Sequence, residues 1–195
     1  MKYFLLVASL LLAGCATPSA PQTLFDLGPL PVVAGVASAL PALSIATVKS
    51  SAFLDNPRMV YRLAYANSQQ PQQFANSRWT MAPAQLLEQR LKTRLGQAGS
   101  TVLAGSDGAL NVPLLRVEVD DFTQVFTTPA QSSGQVTLRV AVYRARLLVA
   151  QKSFTQQRPA TSADAAGGAQ ALAAASDGLI TDVLGWLATL PLKKE

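Results

Sequence analysis

The chain has 195 residues, of which 49% are hydrophobic, and it carries a formal net charge of +5. It contains one cysteine and no histidine, which argues against an intramolecular disulfide, a Ser-His-Asp triad and the usual zinc or copper sites. The basic residues are scattered along the chain instead of being clustered, so nucleic-acid binding is not expected. Residues 23–195 are enough for one domain with a buried core, and no repeat or linker divides them.

The chain begins with the pattern of a bacterial lipoprotein signal. Lys2 precedes an apolar run at 3–12, which is shorter than the roughly 20 residues that a membrane-spanning helix needs. The LAGC sequence at 12–15 resembles the lipobox, at which the cysteine is acylated and the chain is cut just before it. We therefore expect residues 1–14 to be a cleaved signal peptide and Cys15 to carry lipid, palmitate included.

The residues that follow Cys15 indicate where the anchor is held. Ala16 stands where an aspartate would resemble an inner-membrane retention signal, which favours the outer membrane with the domain facing the periplasm. The lipid anchor and tether together cover 15–22, and the small residues and prolines of 16–22 reach about 25 Å at most. The folded domain, 23–195, is therefore expected to stay close to the membrane surface.

Alternating apolar and polar residues predict a series of strands. They cover 24–27, 42–48, 58–65, 74–80, 101–104, 110–126, 135–143 and 147–155. The apolar stretch 30–40 is interrupted by prolines and a glycine and is predicted as a loop. A flexible connection is predicted at 127–134. The alternation shifts at Asp120-Asp121, which is typical of a β-bulge.

Two segments have helical periodicity. Leu87, Leu91 and Leu95 recur every four residues behind Pro83, which predicts a helix over 83–98. A second helix is predicted over 169–190. Its apolar stripe contains Leu172, Leu179, Ile180, Val183 and Leu187. The order of strands, helix, strands and helix predicts an α+β domain: a mostly antiparallel sheet with both amphipathic helices packed on one face.

Three short motifs have an ordinary structural interpretation. Asp120 and Asp121 are adjacent on a strand and therefore point to opposite faces, so they do not form a carboxylate pair. The GSDG sequence at 105–108 lacks the later acidic ligand of an EF-hand and is a turn. Gly167-Gly168 lacks the lysine of a phosphate-binding loop and is interpreted as backbone freedom at the start of the last helix. We predict no metal site, no cofactor and no catalytic residue.

Several aromatic residues have two interpretations that the sequence leaves open. Trp79 is either a core residue or an interface anchor, because tryptophan and arginine are enriched at binding hot spots. Phe122 and Phe126 are either the end of the core or an apolar lip for a partner or lipid. Trp186 is interpreted as a core or packing residue.

The segments taken together resemble one family. They are the lipobox, FDLGP at 25–29, NPRMVYR at 56–62, SRW at 77–79, PAQLL at 83–87, RVEVDDF at 116–122 and SADAA at 162–166. In this order they resemble the ABC-type transport auxiliary lipoproteins, the family that includes the lipoprotein of the paraquat-inducible system. Phe25 stands where the family pattern has tyrosine.

The resemblance implies a non-catalytic, membrane-anchored lipoprotein that works with ABC transporter subunits and an MCE-domain protein. Such systems move lipids or other hydrophobic compounds between the inner and outer membranes. We expect Arg58, Tyr61, Arg78 and Trp79 to contact the partner, and association with further copies of the chain is left open.

Two other classes of function are kept beside this one. The first is a structural or assembly lipoprotein of the outer membrane. The second is a lipid carrier with its own cavity, for which the apolar loop 30–40 would be a lid. An apolar pocket between sheet and helices favours the carrier, whereas a continuous exposed apolar patch favours an adaptor.

Overall fold

The computed structural model describes residues 21–31 and 40–192. The signal peptide, Cys15, most of the tether and residues 32–39 of the loop lie outside this part of the chain, and what the sequence predicts for them remains a prediction.

The described chain forms nine strands and three α-helices. The strands are β1 (Thr23–Phe25), β2 (Leu43–Ile45), β3 (Lys49–Ser50), β4 (Arg58–Leu63), β5 (Pro71–Trp79), β6 (Val102–Ala104), β7 (Leu114–Thr128), β8 (Gln131–Arg144) and β9 (Leu147–Pro159). The helices are α1 (Ala64–Asn67), α2 (Pro83–Gln97) and α3 (Ala165–Thr189), and a 3-10 turn covers Gly105–Asp107.

Strand β7 organises the sheet, because other strands pair along both of its edges. On one edge β8 pairs with it in antiparallel fashion over nearly the whole length of both strands. On the other edge three short strands, β2, β3 and β4, follow one another and run parallel to β7. Farther out, β6 pairs with β2, β5 with β4 and β1 with β5, while β9 pairs with β8.

The sheet is therefore mixed, and the prediction of a mostly antiparallel sheet with two helices on one face is wrong. The β4–β5, β7–β8 and β8–β9 pairs are antiparallel, but every other pair is between strands that run in the same direction. Alternation along a strand indicates which face is buried and does not indicate which strand lies beside it. The additional helix, α1, forms from residues at the end of the predicted strand 58–65 and just after it.

The β-bulge predicted in β7 is confirmed. Val119 pairs with Leu138 and Asp121 pairs with Thr137, so Asp120 is an extra residue on this strand. The extra residue changes the phase of the alternation. As a result Val119 and Phe122, three positions apart, are both buried.

The flexible connection predicted at 127–134 is instead a tight turn. Strand β7 continues to Thr128 and β8 begins at Gln131. The polar sequence there gives little signal for a strand, yet Ser132 and Gly134 are buried against the rest of the fold. Conversely, the predicted strand 110–126 begins only at Leu114, because Asn111 has a positive φ of 60° and turns the chain.

Helices α2 and α3 bury the apolar stripes that the sequence predicts. Leu87, Leu91 and Leu95 of α2 are buried, as are all five stripe residues of α3. Helix α3 starts at Ala165, four residues earlier than predicted, because the Asp164 side chain accepts a hydrogen bond from the Gly167 amide at 2.8 Å. The two helices, β7 and β8 contribute to one continuous hydrophobic cluster.

By length and composition alone, α3 could cross a membrane. It has 25 residues, its most apolar window has a mean hydropathy of 1.3, and half of that window is buried. Its buried side packs against β8 and β9. We therefore interpret α3 as a core helix of the domain.

Glu88 ties helix α2 to the chain between β2 and β3. Its carboxylate accepts hydrogen bonds from the Val48 amide at 2.8 Å and from Lys92 Nζ at 2.6 Å. Burial raises the pKa of Glu88, but the hydrogen bonds from Lys92 and Val48 and the Lys92 charge lower it further, so the net shift is downward. The carboxylate therefore stays charged, as both hydrogen bonds require.

Candidate functional site

All four residues predicted to contact a partner lie on the β4–β5 pair, and the side chains of three of them form hydrogen bonds within it. Arg58 donates to Gln73 Oε1 at 3.2 Å, and Tyr61 donates to Gln72 Oε1 at 2.7 Å. Arg78 donates to the carbonyl of Phe74, four residues earlier in the same strand, at 3.3 Å. The register of this pair shifts between Arg58 and Val60, so these hydrogen bonds support an irregular part of the sheet.

Trp79 lies in the core. Only 1% of the surface of Trp79 is exposed. Its ring packs edge-on against the ring of Phe122, with a distance of 5.3 Å between the two ring centroids. Phe122 and Phe126 are buried as well. A direct contact with a partner is therefore left to Arg58, which is exposed, and to the half-buried Tyr61 and Arg78.

Tyr61 also belongs to an aromatic cluster on the sheet. Its ring is 4.6 Å from Phe74 and 5.8 Å from Phe126 between centroids. Contacts of this kind stabilise the packed strands and hold the Tyr61 hydroxyl toward Gln72. The cluster gives these residues a structural role whatever else they bind.

A charged cluster that the sequence analysis did not single out joins the two long helices. Arg90 of α2 forms a bidentate ion pair with Asp177 of α3, with Nε–Oδ1 at 2.9 Å and Nη2–Oδ2 at 2.6 Å. Arg90 also donates to the Gly28 carbonyl at 2.7 Å. Arg94 donates to the Pro31 carbonyl at 2.8 Å and reaches Asp177 at 3.5 Å. The two arginines are buried, so a charged pair lies inside the fold.

The cluster holds the chain that leads into the predicted loop 30–40. The two carbonyls that accept from the arginines belong to Gly28 and Pro31, which come shortly before residues 32–39. The signal for it was available in the sequence: Arg90 and Arg94 are four residues apart, each next to a leucine of the apolar stripe. Residues 32–39 of the loop 30–40, which would be a lid under the carrier alternative, lie outside the described residues.

A hollow of about 310 Å³ lies where β1 faces the first half of α3. It is lined mainly by Leu24, Phe25, Leu27, Ala166, Ala169 and Ala173. Its volume is at the lower end of the range of ligand pockets, roughly 300–1,000 Å³. This is the feature of the described chain that bears on the carrier alternative.

The described residues contain no group of three or more cysteine and acidic side chains that could hold a metal ion. Asp120 accepts a hydrogen bond from Arg139 at 2.8 Å. Asp121 accepts instead from Thr123 and Gln135, at 2.5 Å and 2.8 Å. The two carboxylates thus have separate partners and do not converge on one site.

Exposed apolar side chains gather at one end of the sheet. The loop 109–112 and the β8–β9 turn border a hollow of about 630 Å³. Leu110 of the loop is 86% exposed, and Leu147 and Leu148, which follow the turn, are 73% and 55% exposed. We call Leu110, Arg116, Arg146, Leu147 and Leu148 the tip. Leu147 and Leu148 are adjacent on β9 and therefore face opposite sides of the sheet, so the exposed apolar side chains of the tip lie on both of its faces.

The tip turn is shaped by two residues in left-handed conformation. Ala145 has φ 48° and Arg146 has φ 71°, the backbone pattern of a tight hairpin turn, which favours asparagine and glycine at these positions. The predicted strands 135–143 and 147–155 leave 144–146 between them, but the sequence did not indicate that the leucines after this segment are exposed.

The solved structures most relevant to the fold are distant in sequence. A protein from Xanthomonas campestris, XCC0632, is 21% identical, with a TM-score of 0.66 and coverage of 88% of each chain. An uncharacterized protein is 14% identical, with a TM-score of 0.68 and coverage of 86% of this chain and 99% of the other. These similarities concern the fold alone. No match was found among the curated proteins.

A family comparison covers most of the chain. The model described as "ABC-type transport auxiliary lipoprotein component" matches residues 25–183. The match includes the mixed sheet from the end of β1 onward, helix α2 and most of helix α3. The chain therefore belongs to the ABC-type transport auxiliary lipoprotein family.

Proposed function

We propose that the protein is a non-catalytic adaptor of an ABC transporter that works with an MCE-domain protein to move lipids or other hydrophobic compounds between the inner and outer membranes. Family membership supports a role beside an ABC transport system. The lipobox at Cys15 supplies an anchor that holds the domain at a membrane without spanning it. The absence of an aspartate after Cys15 supports the outer membrane.

The single observation that carries the adaptor function is the exposed apolar surface at the tip. Apolar side chains that stay exposed in the folded domain gain free energy when a partner covers them. These leucines lie on both faces of the sheet, so they support the adaptor as exposed apolar residues and not as the continuous patch that the sequence analysis named. Arg58, Tyr61 and Arg78 remain a second proposed contact on the β4–β5 pair.

Co-purification tests the adaptor function directly. The lipidated protein, extracted in mild detergent at its native level, is expected to retain the MCE-domain protein and the ABC subunits. Recovery of outer-membrane assembly proteins without these components would instead support the assembly alternative. A strain that produces an unrelated lipoprotein with the same tag is the control for detergent carry-over.

Replacement of the anchor cysteine tests the membrane part of the proposal. Cys15→Ser is expected to lose incorporation of labelled palmitate and to move from the membrane pellet. The matched control Ser19→Ala lies in the same tether and leaves the lipobox intact. Density-gradient fractionation of the wild-type protein then separates the outer from the inner membrane. Labelling of the serine variant at the wild-type level would contradict the assignment of Cys15.

The carrier remains a second candidate because of the hollow beside β1. Ala169→Trp places a large ring in that hollow. If the domain carries lipid there, the wild-type protein yields bound lipid on organic extraction and mass spectrometry, and the tryptophan variant yields several-fold less. Equal amounts of bound lipid from the wild-type protein and the tryptophan variant would exclude this hollow as the lipid-binding site.

A further inference from the structure

The hollow of about 630 Å³ at the tip opens on the face of the sheet that points away from the core. Leu114 pairs with Tyr143 across β7 and β8, so Arg116, two positions after Leu114, lies on the same face as both. Leu115 and Val142 point to the other face and are fully buried. Three residues of one sheet face therefore line the hollow together.

The positive charge beside this hollow has no carboxylate partner. On the same face, farther from the tip, Arg139 is held between Glu118 and Asp120, with N–O distances of 3.2 Å and 2.8 Å. Arg116 forms no ion pair with a carboxylate in the described ranges. Its guanidinium carbon lies 4.7 Å from the centre of the Tyr143 ring instead. The guanidinium is thus held in place by an aromatic face, and its charge is not neutralised.

A second arginine reaches the hollow from the turn between β8 and β9. The Arg146 side chain is exposed and forms no ion pair in the part of the chain that the structure describes. The nine residues that line the hollow include Arg116 and Arg146 and no acidic residue. A phosphate monoester carries about −1.5 to −2 charges near pH 7 and accepts from the planar fork of a guanidinium group. Its charge and its oxygens match two arginines on one hollow.

The backbone around the hollow is held in an unusual conformation. Among the described residues, the non-glycine residues with positive φ are Asn111, Ala145 and Arg146, and all three line this hollow. Asparagine adopts such angles readily, whereas alanine and arginine do so at a cost in stability. At φ 71° Arg146 occupies a turn position that favours glycine. Strain of this kind, at a residue that lines a hollow, indicates a side chain used for binding.

The rest of the lining is largely apolar. Leu110 is 86% exposed, and Val112 and Leu114 are half-buried. A small phosphate compound would leave these side chains in water, but a phosphate attached to acyl chains would cover them. The volume of the hollow lies within the range of ligand pockets, roughly 300–1,000 Å³. The lining therefore favours an amphiphilic phosphate.

From these observations we infer that the tip hollow binds a phosphate group that is attached to an apolar body, as in a phospholipid headgroup. Arg116 and Arg146 pair with the phosphate oxygens, and the apolar side chains of the hollow contact the adjoining carbon atoms. The Tyr143 ring holds Arg116 in place before the ligand binds, which lowers the entropic cost of binding. The inference goes beyond the adaptor function, because it concerns a small ligand of this chain and requires no transport partner.

Calorimetric titration of the full lipidated chain in a neutral detergent tests the inference, with the heat of the detergent alone subtracted. The probes are dihexanoyl phosphatidic acid, glycerol 3-phosphate, which has the same phosphate without acyl chains, and dihexanoylglycerol, which has the acyl chains without phosphate. Dihexanoyl phosphatidic acid is expected to bind at least tenfold more tightly than either of the others.

Two arginine variants test the phosphate contact. Arg116→Gln is expected to raise the Kd for dihexanoyl phosphatidic acid at least tenfold. Arg146→Gly is expected to do the same and also to raise the melting temperature, because glycine suits the backbone of this turn. Weaker binding by a more stable protein cannot be attributed to unfolding. The control Lys152→Gln removes an exposed charge farther along β9 and is expected to bind as the wild type does.

One further variant distinguishes a lipid from a soluble phosphate compound. Leu110→Ser is expected to weaken the binding of dihexanoyl phosphatidic acid several-fold and to leave that of glycerol 3-phosphate unchanged. If glycerol 3-phosphate instead binds the wild type as tightly as the phosphatidic acid does, and both arginine variants weaken it, the source of the phosphate is a soluble compound and the apolar part of the inference is wrong.

Three results would overturn the inference as a whole. They are a wild-type protein that binds neither phosphate probe, arginine variants that bind dihexanoyl phosphatidic acid as tightly as the wild type, and dihexanoylglycerol that binds as tightly as the phosphatidic acid. None of them bears on the adaptor function, which co-purification tests separately.

Discussion

Two glycines allow helix α3 to lie directly on the sheet. A Cβ added to Gly134 of β8 would come within 2.5 Å of the Leu172 amide nitrogen and 2.7 Å of the Ala171 carbonyl carbon. A Cβ on Gly168 would lie 1.9 Å from Gln124 Oε1. A Cβ on Gly134 would therefore collide with backbone atoms of α3, which cannot rotate away as a side chain can.

We predict that Gly134→Ala destabilises the domain by about 1–3 kcal/mol, the usual cost of extra volume in a packed core. The matched control is Gly185→Ala on the exposed side of α3, where an added Cβ meets nothing within 4 Å. This control is expected to be neutral or to stabilise by up to about 1 kcal/mol, because alanine favours a helix. Urea denaturation of both variants gives the comparison, and equal midpoints would contradict the role of Gly134.

The same contacts correct one interpretation of the sequence. Gly167-Gly168 suggested backbone freedom at the start of the last helix, but neither residue has a positive φ. Gly168 instead provides space for the buried Gln124 side chain, whose amide donates to Ser132 and to the Asp164 carbonyl. A glycine required for close approach and a glycine required for an unusual φ look the same in one sequence.

Asp164 makes the start of α3 sensitive to pH. The hydrogen bond from the Gly167 amide, followed by that from the Ser162 hydroxyl, holds the pKa of Asp164 below its usual value. The folded state therefore binds this proton less tightly than the unfolded state does. The stabilisation is fully present above the unfolded pKa, near 3.9, and is lost as the pH falls through the lower folded value.

We predict that Asp164→Ala lowers the free energy of unfolding by about 1 kcal/mol at pH 7, the usual effect of losing an N-cap. The difference from the wild type should decrease when both are measured below pH 4. Asp164→Asn keeps a capping oxygen and is expected to lose less. A difference that is the same at pH 7 and at pH 3 would show that the charged cap is not responsible.

At the level of elements, the ion pair between Arg90 and Asp177 joins α2 to α3. The Arg90 side chain is 5% exposed and that of Asp177 is 18% exposed. Loss of one partner leaves the other charge buried and unpaired, which is more costly than loss of both. The pair therefore fixes how the two helices sit together and where the chain at Gly28 is held.

We predict that Asp177→Ala destabilises the domain by roughly 3 kcal/mol. The double variant Asp177→Ala/Arg90→Met should recover a large part of this loss, because the unpaired charge is gone. Asp182→Ala on the exposed side of α3, where the carboxylate accepts a hydrogen bond from Gln156, is the control and is expected to change little. Thermal melts of the four proteins complete the comparison; a double variant as unstable as Asp177→Ala would contradict this explanation.

The sequence predicted the elements better than their pairing. The helical stripes and the bulge at Asp120 depend on residues close together in the chain, and the structure has both. The parallel alignment of β2, β3 and β4 against β7 depends on contacts between distant segments. Short strands such as Lys49–Ser50 carry too few residues for a pattern, so local periodicity cannot assign their neighbours.

In the candidate site, too, the sequence indicated local features and did not indicate contacts between distant segments. Trp79 and Arg78 stand out by residue type, yet the fold places Trp79 in the core and gives Arg78 a carbonyl partner. The tip joins a loop near Leu110 to a turn near Arg146, and these come together only because β7 pairs with β8 in antiparallel register. No local pattern in the sequence marks such a surface.

On the scale of the whole molecule, the chain enters β1 from the side on which β7 ends, whereas the tip lies where β7 begins. We predict that ten glycine and serine residues inserted between Pro18 and Ser19 reduce photo-crosslinking of position 147 to the MCE-domain protein in cells several-fold, because a longer tether lowers the effective concentration of the tip at its partner. Affinity in detergent should be unchanged, which serves as the internal control. Undiminished crosslinking would show that the distance from the membrane is unimportant.

The arrangement of the strands also determines how the domain carries mechanical load. If the lipid holds one end and a partner holds the tip, tension passes from β1 through β5 and β4 to β7, nearly along the strand axes. Hydrogen bonds between strands are then sheared together instead of being opened one after another. The pairing of β1 with β5 and that of β4 with β7 are the shortest steps in this series, with three residue pairs each. Because β1 pairs with β5 alone at the edge of the sheet, its separation under tension would lengthen the tether, while β7 and β8 keep their long pairing.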